Sequence, residues 1–237
     1  MAPEVTYCGL VIDRHGVRTV PEKVKAIVDA PAPQTVMQLQ SYLGMLNFYH
    51  HYLPDVSTVL APLHMLLKRG VKWQWGMRQE KAFAESKKLL LNSAVLVHFD
   101  SDKEVILACD ASPHGVGAMI LCKMEDGSER PIAFASRSMS DAEKQYSQLE
   151  KEGLALIFGV TEFHQFLYGK NFTLYTDNKP LVGMFAENKP ISAMPSARIQ
   201  RQALTLAVYE YTIRYKTDAM SRLPLVNAPK RRQYPQK

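Results

Sequence analysis

Apolar positions recur along the 237 residues with two different periods, and the change falls near residue 93. The start reads as a short hairpin over residues 1–20. "VTYCGLVI" is apolar and β-prone, "DRHG" supplies a turn, and "VRTV" returns. Helical spacing follows. Pro21 suits the first position of a helix through "EKVKAIVDA", which "PAP" stops. Thr35 and Gln38 form a capping-box pattern for a helix through "VMQLQSYLGMLNFYHHYL", where Leu39, Leu43, Leu46 and Tyr49 mark one face and Pro54 ends the run. "APLHMLLKRG" predicts a short helix with Pro62 near its start and Gly70 past its end, and "MRQEKAFAESKKLLLN" predicts another. Residues 21–92 are therefore expected to be helical.

Beyond residue 93 the apolar runs shorten and the turns multiply. "EVILACDAS", "GVGAMILCK" and "RPIAFASRS" read as an antiparallel meander. Ser140 and Glu143 form a capping-box pattern for one long helix running to Tyr168. "NFTLYTDN" has strand character, "SARIQRQALTLAV" helical character, and "YEYTIRYK" alternates with period two. The order of three strands, helix, strand, helix, strand predicts an α/β unit over residues 93–225 with a mixed five-stranded sheet. The Pro-rich, basic residues 226–237 predict a disordered tail.

Two acids end strands in this pattern. Asp110 closes the first strand and Asp177 the fourth, and a strand returning after a crossover helix lies parallel to the first, placing both acids on one sheet edge. In the helix between them, an apolar stripe drawn through Tyr146, Leu149, Gly153, Ile157 and Val160 takes in Glu150. Converging carboxylates repel one another unless a cation neutralises them, and hard oxygen ligands suit Mg²⁺ or Mn²⁺. Position alone leaves a bland alternative, in which the aspartates are turn residues and Glu150 is solvated. The small residues after Asp110 are expected to leave room beside the acid.

Charge and composition narrow the setting. The net charge is +6, with Lys and Arg outnumbering Asp and Glu by 11 to 7 in residues 1–92 and by 4 to 0 in the tail, whereas residues 93–225 carry 14 against 16. A polyanion would therefore be gripped largely by the N-terminal region and tail. The three cysteines show no C-x-x-C spacing, and no apolar run approaches the ~20 residues of a membrane span, so an intracellular protein of cytoplasm or nucleus is expected. His50, His51 and His64 have no cysteine partners for zinc, "HGVGA" leads into a strand and not a helix, and Tyr42, Phe48, Tyr49 and Tyr52 have the spacing of core residues.

"CDASPHGVGAMILCK", "LEKE" and "TDNKPL", in that order, closely resemble the RNase H domain of gypsy-class LTR-retrotransposon polyproteins. "VTYCGLVIDRHGV" and "LQSYLGMLNFYHHYLPDVSTVLAPLHMLLKRGVKWQWG" are similar to the end of a reverse transcriptase, with its primer-grip hairpin, thumb and connecting region. The resemblance implies an RNase H-like fold and two-metal cleavage of the RNA strand of RNA/DNA hybrids, leaving a 3′ hydroxyl and a 5′ phosphate. It implies Asp110, Glu150 (the first acid of "EKE"), Asp177 and Asp218 as catalytic, metal-holding acids for two Mg²⁺ or Mn²⁺ ions. Asn178 and Arg198 become candidates for touching the nucleic-acid backbone, and Lys68, Arg69 and Lys72 for duplex phosphates. Fingers and palm are expected to precede residue 1, so this stretch alone is not expected to polymerise.

Two departures from the family pattern favour a rival reading as a binding remnant without catalysis. "YEYTIRYK" runs almost directly into "TDAMSRL", shortening the loop before Asp218, and Gln202 stands where relatives generally carry an aromatic.

Overall fold

The computed structural model describes residues 4–186, 190, 195–217 and 220. Three short strands come first: β1 (Glu4–Tyr7), β2 (Leu10–Asp13) and β3 (Gly16–Thr19), paired antiparallel in that order. The expected hairpin is thus a three-stranded meander. "VTYCGLVI" is two strands because Cys8 (φ 48°) and Gly9 (φ 82°) take consecutive left-handed conformations, as a two-residue hairpin turn demands. The second turn is held by Asp13, whose Oδ1 accepts from the His15 and Gly16 backbone amides.

Four helices follow: α1 (Pro21–Val28), α2 (Val36–Phe48), α3 (Val56–Met65) and α4 (Met77–Leu91). Thr35 caps α2 as expected, accepting from the Gln38 amide at 3.2 Å. The helix stops at Phe48, and His50–Tyr52 form a 3₁₀ turn. Helix α3 starts six residues before the position its proline suggests. Pro62 lies inside it, and Asp55 at φ 47° is the residue that turns the chain into it.

The larger sheet contains β4 (Val105–Ala111), β5 (Gly115–Lys123), β6 (Glu129–Ser138), β7 (Asn171–Thr176) and β8 (Glu210–Tyr215), in the order β6-β5-β4-β7-β8. The meander is antiparallel, while β7 joins β4, and β8 joins β7, in parallel. Between β6 and β7 run a 3₁₀ turn (Glu143–Gln145), α5 (Gln148–Glu162) and the single turn α6 (His164–Leu167). Helices α7 (Lys179–Met184) and α8 (Ala197–Leu206) precede β8. The expected single long helix is interrupted because two capping boxes lie in sequence. Ser140 and Glu143 exchange bonds around the 3₁₀ turn only, and Ser147 with Glu150 starts α5 itself.

Both faces of this sheet are covered. Leu107, Cys109, Ala118 and Ile120 belong to the core shared with Leu156 and Val160 of α5 and with Ile199 and Leu206 of α8. Ile106, Ala108, Met119, Leu121 and Phe134, which alternate with them, pack with Leu39, Leu46, Leu60 and Leu63 of the helical region. Residues 21–92 thus form the other half of the sheet's core, and the change of sequence period near residue 93 is not a gap in packing.

Candidate metal centre

Strand β4 runs buried from Val105 to Cys109 and reaches half-buried Asp110 one residue before its end at Ala111. The β4–β7 register pairs Val105 with Phe172 and Ala108 with Tyr175, and the same offset carried forward sets Asp110 level with Asp177, one residue beyond β7. The third acid comes from α5. Its buried face reads Glu152, Gly153, Ala155, Leu156, Gly159 and Val160, a helical stripe with a carboxylate at its head. Gly159 lets α5 approach the sheet closely, since a Cβ there would lie 2.5 Å from Cys109 Sγ. One carboxylate oxygen from each of Asp110, Glu152 and Asp177 lies within 4.8 Å of the others.

The apolar stripe of the sequence puts Glu150 in this cluster, and the structure places it elsewhere. Glu150 is the third residue of its helix, and its Oε2 accepts from the Ser147 amide at 3.1 Å and hydroxyl at 3.0 Å. Its Oε1 meets Arg198 Nη1 at 2.6 Å and the Ser196 hydroxyl at 3.2 Å. Burial pushes its carboxyl up, but the Ser147 amide and the Arg198 guanidinium outweigh that and hold it below the ordinary glutamate range. The signal that could have corrected the choice was present in "SQLE", whose serine and glutamate are a capping box. Both Glu150 oxygens are thus engaged by the start of α5 and by Ser196 and Arg198.

Glu152 is the opposite case. It is 4% exposed, the Gln148 amide donates to its Oε1, and its Oε2 has no hydrogen-bond partner among the described residues. Burial first, then the charges of Asp177 and Asp110, push its carboxyl up to about 7. A buried carboxylate oxygen without a partner, facing two further carboxylates, is the donor set a hard divalent cation takes. The three acids grade outward from buried Glu152 through half-buried Asp110 to exposed Asp177.

The other residues singled out in sequence are distributed around this centre. Asn178 caps α7, its Oδ1 accepting from the Leu181 amide at 3.4 Å. Arg198, besides holding Glu150, lies 3.7 Å over the Tyr146 ring. Lys68 pairs with Asp141 at 3.3 Å, and Arg69 and Lys72 are exposed past the end of α3. Asp218 and the tail from residue 226 lie outside the described residues.

Gln202 fills a real place. It is buried, its Nε2 donates to the Glu150 carbonyl at 3.1 Å, and its side-chain oxygen occupies the hollow above Gly153. The glycines after Asp110 have a different use from the one expected. A Cβ on Gly115 would meet Arg137 O at 2.7 Å and Ser57 Oγ at 2.9 Å, and one on Gly117 would meet Asp55 Oδ1 at 2.6 Å. The space beside these positions is filled by the β6 backbone at Gly115 and by the start of α3 at both.

Residues 75–174 match the family model described as an RNase H-like domain found in reverse transcriptase. The chain is 30% identical, over 93% of its length, to the Tf2-3 and Tf2-4 transposon polyproteins of Schizosaccharomyces pombe, and it spans 17% of their length. Two solved structures share the fold. A foamy viral protease-reverse transcriptase in complex with double-stranded DNA superposes with a TM-score of 0.72 at 22% identity, covering 92% of this chain and 46% of that one. The same viral protein with an RNA/DNA hybrid gives 0.69 at 23% identity, covering 99% and 32%. Among the described residues no helix is long and apolar enough to cross a membrane.

Proposed function

From a chain that carries an RNase H-like domain of the reverse-transcriptase kind and is similar along most of its length to retrotransposon polyproteins, we propose metal-dependent hydrolysis of the RNA strand of RNA/DNA hybrids at Asp110, Glu152 and Asp177. The observation that carries this reading is the convergence of the three carboxylates around the unpartnered Glu152 Oε2. Asp110, Glu152 and Asp177 would hold the divalent ions, two Mg²⁺ or Mn²⁺ in this reading, and such ions would supply activation of a water and stabilisation of the leaving oxygen of a phosphodiester.

The residues divide the work by position. Glu152 forms the buried floor and is fixed through Gln148, Asp110 sits at the end of the central strand, and exposed Asp177 stands at the rim where a strand would arrive. Asp218 is proposed as an assisting acid. Asn178, next to the rim, presents an amide to a passing backbone. Arg198 has one face on Tyr146 and holds Glu150, so we assign it to orienting the α5 start as well as to a backbone contact. Lys68, Arg69 and Lys72 are proposed phosphate contacts, with residues 1–92 guiding the duplex and residues 93–225 cutting it. The foamy viral relatives, held with double-stranded DNA and with a hybrid, support a duplex as the partner.

The test is cleavage of a labelled RNA/DNA hybrid with Mg²⁺ or Mn²⁺ by the chain as given and by Asp110→Asn and Glu152→Gln. Cleavage abolished by either substitution is the expected result. Binding of hybrid by the folded chain without cleavage would replace this reading with a duplex-binding module.

A further inference from the structure

Gln202, buried on α8, grips the backbone of α5 on both sides of Glu152. Its Nε2 donates to the Glu150 carbonyl at 3.1 Å, and its Oε1 fills the hollow above Gly153, where a Cβ would lie 2.2 Å from it. The start of α5 needs such a hold. Its buried residues begin with Glu152 and Gly153, and the first fully buried apolar side chain is Ala155. Before them only half-buried Leu149 meets the core. A helix start whose inward face is a carboxylate and a bare backbone has little hydrophobic anchorage of its own.

Packing alone does not explain the amide. Gln202 Oε1 has no hydrogen-bond partner among the described residues, so the side chain carries an unsatisfied buried oxygen that an unbranched methionine would not. What the amide supplies and methionine cannot is the N–H aimed at the Glu150 carbonyl. Arg198 and Ser196, from the same start of α8, hold the Glu150 side chain at 2.6 and 3.2 Å, so backbone and side chain of one residue are tied to one helix. The consequence falls on Glu152, whose carboxylate lies within 4.8 Å of those of Asp110 and Asp177. Side-chain ends lie about 5–6 Å from a helix axis, so a rotation of α5 by ~10° moves that carboxylate by about 1 Å. Metal–ligand distances have a latitude of only ~0.2 Å.

We propose that Gln202 is a positioning residue for the divalent-cation site: its amide fixes the phase of α5 and so keeps the Glu152 carboxylate facing Asp110 and Asp177. The proposal rests on reading those three acids as a cation site. It joins Gln202 and Gly153 into one unit, because a side chain at 153 drives the amide from its place.

Mn²⁺ binding to the full chain, followed by electron paramagnetic resonance without nucleic acid, tests this apart from cleavage. Gln202→Met keeps the length of the side chain and removes both the donor and the unsatisfied oxygen, so without metal it is expected to melt no lower than the parent. Its Mn²⁺ affinity is expected to fall about tenfold. Gly153→Ala, which displaces the same amide, should lose a similar factor, and the double variant no more than either alone. A residue that merely fills the core would move melting temperatures and leave Mn²⁺ affinity unchanged. Should Gln202→Met fail to fold, Gly153→Ala decides alone. Full affinity in either folded variant, with binding lost in Asp110→Asn, overturns the positioning role and leaves the three-acid site standing. Absence of Mn²⁺ binding in the parent chain overturns both.

Discussion

Glu150 Oε1 and Arg198 Nη1 lie 2.6 Å apart, and this pair joins the first turn of α5 to the first turn of α8 beside the acid cluster. Two residues further along the same helix, Glu152 faces Asp110 and Asp177. At ~100° per residue the two glutamates point about 200° apart, so one helix start holds a structural acid and a candidate catalytic acid back to back.

Substitution should separate them. Glu152→Gln is expected to reduce metal-dependent hybrid cleavage by more than ~100-fold, since in the proposed site it removes a cation ligand and not merely a supporting group. Glu150→Gln keeps a capping acceptor and loses an ion pair, so it should retain most cleavage and cost at most about 1 kcal/mol. Initial rates with Mg²⁺ and urea unfolding of the same preparations check both. Equal loss of cleavage in the two variants would return Glu150 to the site.

Much of this was legible in the sequence because it depended on order and edge. The parallel return of β7 beside β4 followed from the crossover helix between them, and it brought Asp110 and Asp177 together before any side chain was placed. The third acid was a matter of phase. "LEKE" offers two glutamates, and an apolar stripe drawn through Tyr146 and Leu149 picks Glu150, whereas Glu152 is the one that meets Asp110 and Asp177, because α5 begins only at Gln148 and its buried face starts at Glu152. The packing of Asp55 against β5 was beyond reach for another reason. Its place is set by tertiary docking on Gly117, and a lone aspartate after a proline reads in sequence as a turn.

Gly115 and Gly117 differ in what blocks a side chain, and this predicts different rescues. Each alanine substitution is expected to destabilise by about 1–3 kcal/mol through overpacking. The obstacle at Gly117 is the Asp55 side chain, so adding Asp55→Gly should recover much of the loss. At Gly115 the nearest atom is the Arg137 carbonyl oxygen, so adding Ser57→Ala should recover little. Urea midpoints of the two double-mutant cycles give the answer.

Duplex binding should report the basic end of α3 through its salt dependence. If Arg69 and Lys72 each meet a phosphate, alanine at either lowers the slope of log K against log salt by about 0.9, with little change in sequence preference. Lys68 is partly engaged by Asp141, so its removal should change the slope less. Hybrid binding titrations across a range of salt in EDTA, which blocks cleavage, measure the slopes. Unchanged slopes for both Arg69→Ala and Lys72→Ala would remove this surface from the interface.

Glu152 also makes stability depend on pH. In the unfolded chain its carboxyl titrates near the ordinary value of 4.5, whereas in the fold it titrates at about 7. Between those values the folded state holds a proton that the unfolded state has released, so stability falls as pH rises through this window, and the loss is complete above about pH 7. A shift of that size corresponds to about 3 kcal/mol. Without metal, the parent chain should therefore unfold more easily at pH 8 than at pH 5, and Glu152→Gln, which carries no titrating group there, should flatten much of that difference. Added Mg²⁺ should restore stability to the parent at pH 8 and do little for Glu152→Gln, because a cation bound only by the folded state contributes its binding free energy to folding. Unfolding curves at the two pH values, with and without Mg²⁺, check this. A parent chain equally stable at both would mean that Glu152 is ionised in the fold without cost, and that the cluster is wetter than its burial implies.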